Sequence, residues 1–173
     1  MDLTAYFDYL KSFAVNHNSI GHTDDNKHYF RVDINELENA KRSVANYPAV
    51  AAMNPIYSVS GAISSNMRKQ YQGNLIILDK ITDKGDAIER TDKESALMEI
   101  AEDFISKFIN DRKSFDEGEQ GFALPGLDFN GFTTELIPES YTSLCGVLIG
   151  FRFNEPLKRF DASRWDNETL YTP

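Results

Sequence analysis

Three histidines, His17, His22 and His28, flank Asp24 and Asp25 near the start of the chain. Imidazoles and carboxylates together are the ligand types of a transition-metal site. Successive histidines are separated by four and five residues, a spacing that matches no zinc motif. The intervening Asn and Asp residues form turns through their own side chains, so the segment reads as a polar loop. A second cluster, Asp79, Asp83, Gly85 and Asp86, carries the oxygen donors of a calcium loop. Such a loop needs donors at alternate positions, then a glycine and a distant glutamate. Lys80 and Lys84 interrupt the charge here, and Asp83-Lys84-Gly85-Asp86 reads as a turn.

Glu99, Glu102 and Asp103 could supply paired carboxylates, but a helical reading of this region puts them on its solvated face, with no buried second acid. Cys145 is the only cysteine. It lies in the apolar run Leu144-Cys145-Gly146-Val147-Leu148-Ile149, where a thiol acts as a small hydrophobe. An unpaired cysteine fits a reducing compartment. No nucleophile elbow, phosphate-binding loop or dinucleotide fingerprint occurs. Gly61, Gly146 and Gly150 fall within strand patterns, where glycine admits close backbone packing. The residues therefore assemble no catalytic constellation, and no catalytic residue, cofactor or metal is assigned.

The elements that position these residues are read from periodicity. Leu3, Tyr6, Phe7, Leu10, Phe13 and Ala14 form one stripe of an amphipathic helix over 3–15, with Asp2 as N-cap. A strand is expected over 28–33, then a helical turn or two over 36–44. Pro48 and Pro55 bracket a further strand, Ala49 to Met53. Ile56 to Ser64 alternates, with Tyr57, Val59 and Ile63 on one face, which predicts a half-buried strand. Asn74 to Leu78 is apolar on both faces and belongs mid-sheet. Between these two strands, Ser65 to Gly73 reads as an extended hairpin tip.

Leu97, Ile100, Ala101, Phe104, Ile105, Phe108 and Ile109 predict a helix over 92–112, opened by a Thr91-to-Glu94 capping box and closed by Arg112 and Lys113. Leu127 to Ile137 and Leu144 to Phe153, separated by Pro138-Glu139-Ser140, predict an antiparallel strand pair. Val147, Ile149, Phe151 and Phe153 share one face of the second strand. The order predicts an α+β fold: a mainly antiparallel sheet packed against an N-terminal helix and one long central helix, with an extended hairpin and a C-terminal tail. Residues 1–154 form the expected single domain, and 155–173 an interaction tail carrying Leu157, Phe160, Trp165, Leu170 and Tyr171.

The chain has 173 residues, enough to bury a core without disulfides. Its net charge of −9 opposes tight nucleic-acid binding, because a binder must line phosphates with positive charge. The basic spots Arg68-Lys69, Arg112-Lys113 and Lys158-Arg159 are each two residues long. No apolar run spans a bilayer, and Met1-Asp2-Leu3-Thr4 lacks the pattern of a secretory signal. The chain is expected to stay where it is made, away from membranes.

The same order of elements resembles the tail-terminator and tail-completion proteins of tailed bacteriophages. The resemblance is carried by the N-terminal helix, the strand group with a long polar hairpin (57–81), the capped helix (92–112) and the closing strand pair. The stretch Leu144 to Phe153, followed by Asn154-Glu155-Pro156, is similar to their last core strand. The resemblance implies a structural virion protein: a homo-oligomeric ring of six or twelve copies in the neck or tail, made in the host bacterial cytoplasm. Such a ring joins head to tail, meets neighbouring neck, portal or tail proteins, and encloses the channel through which genome DNA passes without specific binding. A negative lumen would let DNA slide. Ring contacts are expected from Arg68, Lys69, Gln70 and Tyr71 in the hairpin and from Phe160, Trp165, Leu170 and Tyr171 in the tail. The alternative is a bacterial cytoplasmic adaptor that docks a protein partner through the aromatic tail.

Overall fold

Asp2 stops the first helix from fraying at its start: its side chain accepts from the Thr4 amide at 2.8 Å. The helix, α1 (Leu3–Asn16), buries Tyr6, Phe7, Tyr9, Leu10, Phe13 and Ala14. Leu3, expected in that stripe, is half exposed, because it precedes the first turn that meets the sheet. Tyr9 joins the buried face instead and donates its hydroxyl to Asp111 at 2.9 Å. The structure is a computed structural model, and its described residues are 2–32, 46–61, 67–83, 86–118, 123–137 and 143–157.

The strands are β1 (Tyr29–Val32), β2 (Ala49–Met53), β3 (Ile56–Ser60), β4 (Arg68–Lys80), β5 (Thr133–Leu136) and β6 (Leu144–Pro156). A long helix, α2 (Ala87–Asp116), separates β4 from β5. The strands form one sheet in the order β1-β2-β4-β6-β5, with β3 also paired to β4. The fold is α+β, and the sheet is mixed: β1 and β2 are parallel, and the remaining pairs are antiparallel. The helical turns expected over 36–44 and the turn at 138–140 lie outside the described residues.

Both helices serve one face of the sheet. Phe13, Phe104 and Phe108 interlock there, with Phe13 4.5 Å from Phe108 and 5.1 Å from Phe104 between ring centroids. Val147, Ile149, Phe151 and Phe153 meet them from β6 as the alternation predicted. The opposite face carries a smaller cluster of Val32, Ala51, Ile76 and Leu78. The two faces explain why Leu75 to Leu78 is apolar without alternation: odd residues belong to one cluster and even residues to the other.

Two boundaries differ from expectation for a local reason. The long helix begins at Ala87, capped by Asp86, whose carboxylate accepts from the amides of Ile88 at 2.9 Å and Glu89 at 3.0 Å. Glu89 then reaches back to the amides of Thr82 and Asp83, each at 3.0 Å. Asp86 thus takes the role assigned to Thr91, whose hydroxyl lies within the helix and donates to the Ala87 carbonyl. At the other end the helix runs on to Asp116, which pairs with Arg112. In the C-terminal third, the pairing of Leu127 to Ile137 is confined to β5, with Leu127 making an isolated bridge to Phe153.

Candidate assembly surface

The acidic and imidazole clusters have internal employment. His17 Nε2 lies 3.2 Å from Asp103. His28 Nδ1 lies 2.7 Å from the Pro48 carbonyl. His22 Nδ1 accepts from the amides of His28 at 3.0 Å and Tyr29 at 3.1 Å. That arrangement requires an unprotonated Nδ1, and burial with nearby Lys11 lowers the His22 pKa accordingly. Asp79 faces Lys93 at 3.4 Å, while Asp86 is a helix cap. Glu99, Glu102 and Asp103 are exposed on α2. Cys145 is buried, and burial, with Asp79 nearby, raises its thiol pKa. Gly146 does admit close packing: a Cβ there would stand 2.8 Å from both Ile137 and Leu78.

Beyond the helices the sheet continues as a three-stranded arm. The ladder of β4 and β6 extends from Lys80 opposite Leu144 to Arg68 opposite Pro156. Over its outer half β3 pairs with β4, from Ile56 opposite Gln72 to Ser60 opposite Arg68. Every residue of β3 is exposed. The half-buried face expected for Tyr57 and Val59 is therefore absent: they are 58% and 47% exposed, and Ile56 is 69% exposed. Alternation was correctly read as strand, but neither helix reaches this far to cover it. Ile63 lies outside the described residues.

The hairpin tip expected over 65–73 is likewise corrected, since Arg68 to Gly73 are strand residues in β4. Arg68 to Gln72 are paired on both sides, with β3 and β6, as a tip would not be. Of the four contact residues expected there, Arg68 is exposed and Lys69 and Gln70 are partly so. Tyr71 is buried, stacked on Phe153 at 4.9 Å and 7°. Its hydroxyl donates to Glu155 at 3.2 Å, so its ring serves this chain's own packing. Lys69 Nζ sits 5.5 Å from the Tyr57 ring centroid. A groove of about 400 Å³ runs along the arm, lined by Ile56, Tyr57, Gln70, Tyr71 and Arg152.

The domain boundary expected at 154 falls inside a strand. Glu155 pairs with Lys69 and Pro156 with Arg68, and the Leu157 amide donates to the Met67 carbonyl at 3.1 Å. Phe160, Trp165, Leu170 and Tyr171 lie outside the described residues.

A second concavity, of about 420 Å³, opens between α1 and β1, with Phe7, Lys11, His22, Lys27 and Arg31 among its walls. The Arg31 guanidinium lies 3.5 Å above the Phe7 ring centroid, a cation–π contact that holds its charge at the rim. No sequence pattern marks this cleft, because its walls come from segments that only the fold brings together. Among the described residues no helix is long and apolar enough to cross a membrane. No protein-family model matches this chain, and no curated protein matches it either.

Proposed function

We propose that the chain is a structural virion protein that forms a homo-oligomeric ring in the neck or tail of a tailed bacteriophage. The observation that carries this reading is the arm: an uncharged, fully exposed strand, β3, held out beyond the helices by β4 and β6. Among the described residues no strand lies beyond this edge, and such an edge offers backbone amides and carbonyls and apolar side chains to another chain. A monomer gains nothing from that exposure, whereas an assembling subunit covers it. The resemblance in element order supplies the place, and the net charge of −9 suits a channel wall along which DNA slides.

Light scattering on the purified chain over a range of concentrations tests this. A discrete mass of six or twelve copies supports the ring. A strict monomer throughout, also in the presence of neighbouring neck or tail proteins, overturns it.

A further inference from the structure

We propose that the outer edge of β3 takes up the β5 edge of a second copy, so that copies join head to tail through one continuous antiparallel sheet. This rests on the ring reading and names the strands that make its contacts.

Each of the two strands has one neighbour only among the described residues, β3 on β4 and β5 on β6. All residues of both are exposed. Proteins ordinarily protect such edges with charge, proline or a bulge. Ile56-Tyr57-Ser58-Val59-Ser60 has no charge and no internal proline. The remaining edge, β1, is a poorer acceptor: of its four residues only Arg31 is exposed, and that guanidinium is engaged with Phe7.

Direction favours the pairing. β3 opposes β4, β4 opposes β6, and β6 opposes β5, so β3 and β5 run in opposite senses. Copies related by rotation about a ring axis keep their strand sense. The junction between β5 of one copy and β3 of the next is then antiparallel, like its neighbours on either side. Charge agrees as well. The incoming strand carries Glu135, and the accepting edge is flanked by Arg68 and Lys69 on β4. In a chain of net charge −9, this is a surface where a second copy meets positive charge.

The stagger between the two edges also fits closure. Through the register, the middle of β3 at Ser58 lies level with Gln70 and Asn154. Glu135, in the middle of β5, lies level with Leu148, which shares a sheet face with Asn154 and so with Ser58. The offset is six residues, about 20 Å along the strands. The strip from β3 to β5 is four strands wide, about 19 Å. Repeating that step closes into a ring, whatever the copy number, when the strands tilt by roughly 46°, at the upper edge of the 35–45° of closed sheets. Pairing Ser58 with Thr133, the next β5 residue on that face, gives a tilt of roughly 35°, at the lower edge of the same range.

The test is disulfide trapping in the full chain. Ser58→Cys and Glu135→Cys are both on exposed positions of the same sheet face, and the enclosed Cys145 stays out of the exchange. Ser58→Cys with Thr133→Cys serves as a second pair two residues along the register, on the same face. Under mild oxidation one of the double variants is expected to give a ladder of linked multimers on a non-reducing gel. An equal mixture of the corresponding single variants should give dimers only, at least tenfold more than either variant alone. Efficient dimers from Ser58→Cys alone would mean that β3 pairs with β3 about a twofold axis, and would overturn the proposal. A ring-sized mass with no ladder from either pair would overturn it while leaving the ring intact. A monomer at every concentration, also in the presence of neighbouring neck or tail proteins, would remove the ring reading itself, which light scattering reports independently of the cysteines.

Discussion

The two halves of the β4–β6 ladder share one set of backbone hydrogen bonds and differ in almost everything else. In the inner half, Leu75 and Ile77 with Val147 and Ile149 lie beneath the helices, and Ile76 and Leu78 are buried on the reverse face. In the outer half, the side chains beside β3 are exposed or partly so, apart from Tyr71 and Phe153. Tyr6, 6.0 Å from Phe153 between ring centroids, ties the base of the arm to α1. Burial of apolar area, at about 25 cal/mol per Å², is thus concentrated in one half of a continuous ladder. Hydrogen bonds extend the sheet, but they do not by themselves decide where a core lies. The inner half holds the molecule together, and the outer half is surface that suits a partner.

Substitutions can break that contrast, and the largest effect belongs to the inner half. Phe104 is buried between Phe13 and α2's own neighbours, so Phe104→Ala should cost about 3–5 kcal/mol, the usual penalty for emptying a large aromatic site. Chemical denaturation measures it, and an unchanged midpoint would mean that the interlock of α1 and α2 is not what stabilises the sheet.

Gly73 marks the junction of the two halves. A Cβ there would stand 2.3 Å from the Phe151 ring and 2.8 Å from the Tyr6 hydroxyl. Gly73→Ala must displace a buried ring and should cost about 1–3 kcal/mol. A cost near zero would show that the base of the arm is loosely packed.

Acid should act on the inner structure through His22. Its folded pKa is lowered by burial and Lys11, so the unfolded chain binds that proton more readily. The sign follows: His22's neutral-state stability is fully present above the ordinary histidine range, about 6.5, and declines as pH falls below it toward the lowered folded value. The melting temperature of the protein should therefore fall between neutral pH and pH 5. His22→Asn, which keeps an acceptor but does not titrate, should lose less over the same interval. Parallel curves for the two proteins would exclude this residue as the cause.

The smallest effect on stability, and the sharpest test of the contrast, is in the arm. Val59→Lys places a charge on an exposed edge residue and should change folding stability by no more than about 0.5 kcal/mol. It should nevertheless weaken self-association at least tenfold, seen as a shift of the concentration dependence in light scattering. A folded, fully assembling Val59→Lys protein would show that this edge is not an assembly surface.

The helices were legible because their signal is local and redundant: Tyr6, Leu10 and Phe13, or Leu97, Phe104 and Phe108, repeat at the pitch of the backbone itself. Asp86 is not singled out as the cap by the sequence, because two aspartates and a threonine within seven residues each offer the same carboxylate or hydroxyl. Only the route of Glu89 back to Thr82 and Asp83 distinguishes the cap that forms. For β3, the alternation of Ile56 to Ser60 is the same whether a helix lies over one face or not, so strand was readable and burial was not. Tyr71 reads as a contact residue for the same reason: its place in the polar stretch 65–73 suggests surface, and the stack on Phe153 comes from a strand about eighty residues away.

By itself the sequence determined the α+β class, both helices, the mid-sheet strand at Leu75 to Leu78 and the apolar face of β6, because periodicity is a property of neighbours along the chain. Tertiary structure alone decided that β1 and β2 run parallel, that β4 and β6 reach past the helices, and that β3 is left uncovered. Those outcomes depend on register between distant segments and on where a helix ends relative to a strand. Such distances are set by packing in space, and no spacing along the chain records them.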